Sequence, residues 1–293
     1  MFLSEGQDDK LANMCKSIRR ILLLFCLVLL TACSSPAQRL DALALSSGFE
    51  RGVASGKPYQ HVTYQRTSGA KRLHVYLEGD GAPWWSRYIV AQDPTSRRSL
   101  ALKLMALDEG DTFYLARPCY HGFARAKRCN NSMWTSKRYS RAVVDSMAAA
   151  LKTHIKKYDY QTVGLIGHSG GGTLAMLLAE RVPQVNAVLT VAANMDIDAW
   201  TRLHAYSPLS GSLNPALRPP LPADIWQLHL AGSEDKNVPP AIIRGAVRQQ
   251  RYADVVTFSG FNHSCCWQDA WPDVLTALEE QNAARLKAKY SLP

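Results

Sequence analysis

Short, nearly continuous apolar runs alternate along this chain with longer stretches in which apolar residues recur every three or four positions. The first kind predicts strands over His61–Arg66, Leu73–Glu78, Thr112–Ala116, Thr162–Gly167, Ala187–Ala192, Trp226–Ala231 and Val255–Ser259. Val163-Gly164-Leu165-Ile166 is typical of them, because an unbroken apolar run suits a strand covered on both faces. The second kind predicts helices over Ser99–Leu107, Ser140–Tyr158, Thr173–Arg181, Ala241–Arg251 and Asp269–Tyr290. In Ser140–Tyr158 the residues Val143, Val144, Met147, Leu151 and Ile155 form one stripe, the core-facing side of an amphipathic helix. Regular alternation of the two patterns predicts an α/β fold: a mostly parallel central sheet with helices on both faces.

Two segments interrupt the alternation. Arg117–Lys137 reads as a long loop, and Met195–Ala223 as a small cap insertion, since loops of this length in compact domains usually carry function. Residues 36–56 are small and polar, which suits a tether leading into the domain. Repeats and low-complexity tracts are absent from the sequence.

The N-terminus follows a third pattern. Lys16, Arg19 and Arg20 precede an apolar run from Ile21 to Leu30, which closes on Leu30-Thr31-Ala32-Cys33. A basic region, a short apolar core and small residues make a secretory signal. The thirteen residues Ile21–Cys33 reach about 20 Å as a helix, too short to cross a bilayer. Leu-Thr-Ala-Cys resembles the lipobox of bacterial lipoproteins. That resemblance implies a signal peptide over 1–32, lipidation of Cys33, a lipidated tether over 33–56 and a domain over 57–293. Ser34 in place of Asp then implies the bacterial outer membrane, facing the periplasm. An ordinary cleaved signal with an incidental Cys is the plainer alternative. Glu5, Asp8 and Asp9 make a poor basic region, so Met14 is an alternative start.

Composition narrows the class. With 47% hydrophobic and 20% charged residues, the chain is neither collagen-like nor disordered nor a multi-span membrane protein. Thirty-four Lys+Arg against 24 Asp+Glu give +10, but these basic residues are scattered. The expected neighbour is anionic lipid or envelope polymer, with no nucleic acid. Removal of 1–32 discards Cys15 and Cys26, and Cys33 would carry lipid. Four cysteines remain for an oxidising compartment, and the expected pairing is Cys119–Cys129 with Cys265–Cys266, buried free thiols being the alternative. No zinc-ligand spacing occurs, so no metal is expected.

The strongest chemical signal is Gly167-His168-Ser169-Gly170-Gly171-Gly172, lying directly between a predicted strand and a predicted helix. It matches G-x-S-x-G in the context that exposes a nucleophilic Ser on a sharp turn. A glycine-rich phosphate turn is the alternative, but the Lys-Ser/Thr of a phosphate loop is missing. A Ser hydroxyl needs a base, and a carboxylate to orient that base. Of the downstream histidines, His229 lies within a strand and His204 in the cap segment. His263 follows the last strand, where a base belongs. Asp235, just past Trp226–Ala231, is the expected acid, with Asp196 and Asp198 as rivals. The amides of Gly170 and of Asp80, in Glu78-Gly79-Asp80-Gly81, are the expected oxyanion donors. The Asp80 carboxylate must then point away and be paired, an Arg being the natural partner. Trp84, Trp85, Trp134, Trp200 and Trp267 offer aromatic surface for an acyl group, or simply pack the core.

With Ser169, Asp235 and His263 in that chain order, the sequence from Leu73 to Tyr290 resembles an α/β-hydrolase, departing from the family in having Glu78-Gly79 where His-Gly is usual. The resemblance implies a serine hydrolase that acts through an acyl-enzyme on a small-molecule or acyl substrate, without metal or organic cofactor. An esterase-like activity is the first expectation, a serine peptidase or amidase the second. A catalytically silent, membrane-tethered binding protein is the third. Oligomeric state is not legible.

Overall fold

The computed structural model describes Met14, residues 16–19 and residues 34–291. The apolar run Ile21–Leu30 and the lipidation candidate Cys33 lie outside the described residues. Eight strands, β1 (Glu50–Ser55), β2 (Gln60–Arg66), β3 (Arg72–Leu77), β6 (Thr112–Leu115), β7 (Thr162–His168), β8 (Val185–Val191), β9 (Trp226–Gly232) and β10 (Ala253–Phe258), form one sheet in the order β1-β2-β6-β3-β7-β8-β9-β10. Every neighbouring pair from β6 to β10 is parallel, and only β2 runs against its partners β1 and β6. A separate ribbon, β4 (Trp84–Ser86) and β5 (Ile89–Val90), projects after β3.

Helices cover both faces because the strands present apolar residues to both. Leu73, Val75, Leu77 and Leu165 face one core with α3 (Arg141–Tyr158), α4 (Gly170–Ala179) and α6 (Pro240–Val247). Tyr76, Ile166 and Leu189 face the other core with α1 (Pro36–Ser46), α2 (Leu100–Met105), α7 (Trp267–Glu280) and α8 (Ala284–Tyr290). The predicted stripe of α3 is buried throughout: Val143, Val144, Met147, Leu151 and Ile155 all pack on the sheet. The fold is therefore the expected one, a mostly parallel sheet clothed on both sides.

Three expectations need correction. The segment read as a tether to residue 56 is folded from Pro36 on. Ser35 and Gln38 cap α1 reciprocally, Leu40, Ala44 and Phe49 enter the core, and Asp41 accepts the Tyr64 hydroxyl at 2.7 Å. Strand β1 escaped notice because it lies at the sheet edge, where Glu50-Arg51-Gly52 carries no apolar pattern. The C-terminal helix is two helices, broken where Gln281 turns left-handed at φ 48°. Finally, α4 begins at Gly170 instead of Thr173, because close packing of bare backbone overrides the poor helix propensity of three glycines.

The long loop after β6 is pinned by the Cys119–Cys129 disulfide, and Cys265 is bonded to Cys266. Segment 195–223 holds one short helix, α5 (Ile197–Leu203), and a 3-10 turn at Pro215–Leu217. Among the described residues, no helix is long and apolar enough to cross a membrane.

Candidate active site

Parallel strands deliver successive loops to one edge of a sheet, and here three of them converge at the carboxyl ends. Ser169 follows β7 directly, Asp235 follows β9, and His263 follows β10. Ser169 takes φ 53° and ψ −125°, a left-handed turn that a side chain tolerates only under constraint from both flanks. That constraint is visible: its amide donates to Val191 O at 2.9 Å, and its carbonyl accepts from Gly172 at 2.9 Å. A Cβ on Gly171 would stand 2.1 Å from Leu77 O, so the turn can close against β3 only with glycine there.

The structure brings the three residues into one hydrogen-bonded line. His263 Nε2 lies 3.1 Å from Ser169 Oγ, and His263 Nδ1 lies 2.8 Å from Asp235 Oδ2. Asp235 is buried, and its second oxygen accepts the amides of Asn237 and Val238, both at 2.8 Å. With a carboxylate facing Nδ1, that nitrogen carries the proton and Nε2 is left as acceptor. The Asn237 side-chain nitrogen also stands 3.0 Å from Nε2, so it and Ser169 share that lone pair. The rivals are occupied elsewhere: Asp196 caps α5, and both Asp196 and Asp198 hold the Asn214 amide. His229 is buried in β9 against Thr190, and His204 Nε2 donates to Asn237 O at 2.7 Å.

The Gly79–Gly81 turn reaches the same point. A Cβ on Gly79 would lie 3.2 Å from Ser169 Cβ, and one on Gly170 would lie 2.1 Å from Asp80 Oδ1, so both oxyanion candidates border the serine. The Gly79 amide is taken by Glu78 Oε1 at 3.0 Å, which removes it as a donor. The Asp80 carboxylate points into the protein, as required. Arg138 donates to it at 2.7 Å, Tyr139 at 2.6 Å, and Arg117 lies 2.8 Å away in an ion pair. Burial alone would raise the Asp80 carboxyl, but the charges of Arg138 and Arg117 outweigh it and hold it below the usual carboxylate range. The Tyr120 hydroxyl donates to Asp80 O at 3.0 Å and fixes the turn from outside.

A second buried carboxylate, unforeseen in the sequence, ties these parts together. Glu78 accepts the hydroxyl of Ser99, the cap of α2, and stands 3.6 Å from His168 Nδ1. His168 Nε2 in turn meets the carbonyl of His263 at 3.0 Å. Burial opposes the Glu78 charge, yet contacts from His168, Ser99 and the Gly79 amide keep its carboxyl below the ordinary value. A Glu where His is usual, followed directly by Gly, was the sequence signal of this departure.

Of the tryptophans expected to line an acyl site, Trp134 and Trp267 are buried in the two cores. Trp200 bonds Asn237 O at 3.1 Å, and Trp84 and Trp85 lie exposed on the β4–β5 ribbon. Through Trp200 and His204, α5 walls the loop that carries Asn237. Among the described residues, no group of three or more His, Cys, Asp or Glu is placed to hold a metal ion.

Comparisons with known proteins bear on the family and the fold. The model of the Esterase family, described as "Putative esterase", matches residues 50–278. No curated protein matches the chain. Among solved structures, an esterase of Pyrococcus furiosus is 12% identical with a TM-score of 0.58, covering 80% of this chain and 92% of its own. A bacterial membrane phospholipase A, described as a virulence factor, is 14% identical with a TM-score of 0.55, covering 90% and 98%. A proline iminopeptidase of Mycobacterium smegmatis is 11% identical with a TM-score of 0.54, covering 80% and 100%. At such identities the likeness is one of fold.

Proposed function

The chain belongs to the Esterase family and is an α/β-hydrolase enzyme, and from that premise we propose that it cleaves a carboxylic ester through an acyl-enzyme on Ser169. The observation that carries this reading is the line Ser169 Oγ, His263 Nε2, His263 Nδ1, Asp235 Oδ2, with hydrogen-bond distances of 3.1 and 2.8 Å. Ser169 Oγ attacks the ester carbonyl while His263 Nε2 takes its proton, and Asp235 stabilises the imidazolium so formed. The tetrahedral oxyanion is held by the amides of Gly170 and Asp80, aided by the positive end of α4. His263 then gives its proton to the leaving alcohol. A water activated by the same histidine releases the acid from Ser169.

The ester is favoured over an amine-bearing peptide by the carboxylates of the site. Glu78, Asp80 and Asp235 are each engaged in internal pairs, and none is left to anchor a substrate ammonium group. The Leu30–Cys33 lipobox likeness supports a lipid-anchored enzyme of the bacterial envelope, which labelling by palmitate, lost in Cys33→Ser, would establish.

A soluble chain beginning at Ser34 keeps every described core residue, since these run from Leu40 to Leu286. It is expected to turn over a short-chain aryl ester and to be labelled by a fluorophosphonate. Ser169→Ala should lose labelling and at least ~10³-fold in kcat. Equal turnover by both proteins would remove Ser169 from the reaction.

A further inference from the structure

The β4–β5 ribbon gathers exposed large apolar side chains, Trp84, Trp85, Tyr88 and Ile89, within six residues. Trp134, Trp226, Trp267 and Trp271 are all buried, whereas Trp85 is 71%, Tyr88 81% and Ile89 58% exposed. The ribbon is held firmly at its base, where Ala91 donates to Pro83 O at 3.0 Å and Ala82 to Pro94 O at 2.8 Å, and the Trp134 indole donates to Ala91 O at 3.1 Å. Its aromatic rings are therefore presented to the outside by a fixed support.

Cations surround them. The Arg97 guanidinium lies 5.3 Å from the Trp85 ring centre, and that of Arg87 lies 5.5 Å from the Tyr88 ring. Arg125 reaches Gln92 at 3.4 Å and so brings the disulfide-pinned loop, with exposed Arg125, Lys127 and Arg128, alongside. Acidic side chains are scarce: the sequence from Leu115 to Val144 contains none, and from Gly81 to Leu107 only Asp93. Asp93 is turned inward onto the Thr95 amide at 2.9 Å.

We propose that this ribbon docks onto the surface of an anionic lipid bilayer. Tryptophan and tyrosine favour the boundary between headgroups and acyl chains, where the ring is apolar on its body and wet at its polar end. Arginines on the same surface meet the negative headgroups, each adding about 1 kcal/mol near a charged membrane. Exposed apolar residues rimmed by a single sign of charge mark an interaction surface, and the sign here selects an anionic partner. The ribbon leaves the Gly79–Gly81 turn that borders Ser169, so docking sets the candidate site beside the lipid interface. The docking itself does not depend on the ester-hydrolase reading.

The test uses the chain beginning at Ser34, carrying Ser169→Ala so that vesicles stay intact, in flotation with phosphatidylglycerol–phosphatidylcholine vesicles. Partition onto these vesicles is expected, with weak partition onto phosphatidylcholine alone, a blue shift of tryptophan emission on binding, and release at high salt. Tyr88→Ser with Ile89→Ser should lower the partition by about tenfold or more. Arg87→Gln with Arg97→Gln should lower it by roughly 25-fold. Because all four side chains lie outside the core, an unchanged melting temperature checks each variant. No partition onto anionic vesicles would overturn the proposal. So would partition unaffected by the Tyr88–Ile89 pair, or tighter, equally ribbon-dependent binding to single-stranded nucleic acid or to a second copy of the chain. Fluorophosphonate labelling of the Ser169 parent reads the hydrolase separately.

Discussion

His263 and His74 each hold a buried aspartate through Nδ1, at 2.8 Å to Asp235 and 2.7 Å to Asp108. The two pairs differ at the other ring nitrogen. His263 Nε2 faces the Ser169 hydroxyl and the Asn237 amide, both neutral. His74 Nε2 lies 3.3 Å from Glu279 Oε1, an ion-pair contact with a second carboxylate. Burial opposes charge on His74, but the carboxylates of Asp108 and Glu279 outweigh it and push its pKa up to about 9. One histidine is thus a standing cation that joins β3 to α7, and the other is left with a basic lone pair beside a hydroxyl. A His–Asp pair is therefore not in itself a catalytic unit, and the group facing Nε2 decides what the pair can do.

The largest expected contrast comes from removing each aspartate's charge. Asp235→Asn should lower kcat by about 10⁴-fold with little loss of stability, because the imidazole then adopts the wrong tautomer and its cation loses support. Asp108→Asn should leave fluorophosphonate labelling of Ser169 intact and cost about 3 kcal/mol in urea denaturation, since it breaks a buried pair. Full activity in Asp235→Asn, or loss of labelling in a folded Asp108→Asn, would collapse the distinction between the two pairs.

Next comes a pH effect. His74 is raised from 6.5 to about 9 in the fold, so its stabilisation is complete below pH 6.5 and is lost as pH rises towards 9. The loss is on the order of 3 kcal/mol. The buried histidines His61, His121 and His154, lowered to about 4 by burial, act in the opposite direction. Their contribution is complete above pH 6.5 and is lost as pH falls from 6.5 towards 4. Denaturation of the parent and of His74→Gln between pH 6 and pH 9.5 isolates the first effect. The stability gap between them should shrink with rising pH, and a constant gap would mean that His74 is neutral in the fold.

The same contrast explains what was legible in the sequence. Strands β3, β7 and β9 were readable because burial on both faces leaves an apolar run. Ser169 was readable because its turn demands glycines at neighbouring positions. His263 and Asp235 followed from chain order and strand ends. Arg117 and Arg138 behind Asp80, Glu78 beneath His168, and Asn237 at Nε2 join residues far apart in the chain, and no local spacing encodes such meetings. The requirement that Asp80 be paired was readable from its chemistry; which arginines meet it depends on how the loop after β6 folds. Edge strand β1 and helix α1 escaped for a simpler reason, since edge and surface elements carry little apolar pattern.

Asn237 offers the most direct way to convert one pair into the other. Asn237→Asp is nearly isosteric and places a carboxylate 3.0 Å from His263 Nε2, where the amide nitrogen now stands. It would reproduce around His263 the arrangement that Asp108 and Glu279 make around His74. An added negative charge at that distance favours imidazolium, so less of the enzyme would hold the free base that the proposed mechanism needs. The acid limb of the pH–activity profile should move to higher pH, so that kcat/KM falls most on the acid side and recovers at higher pH. Asn237→Ala, which removes the competing donor without adding charge, should move the limb less than Asn237→Asp does. A profile in which Asn237→Asp loses activity uniformly at all pH values would show that Asn237 acts by shape alone, and that the charge facing Nε2 is not what separates the two histidines.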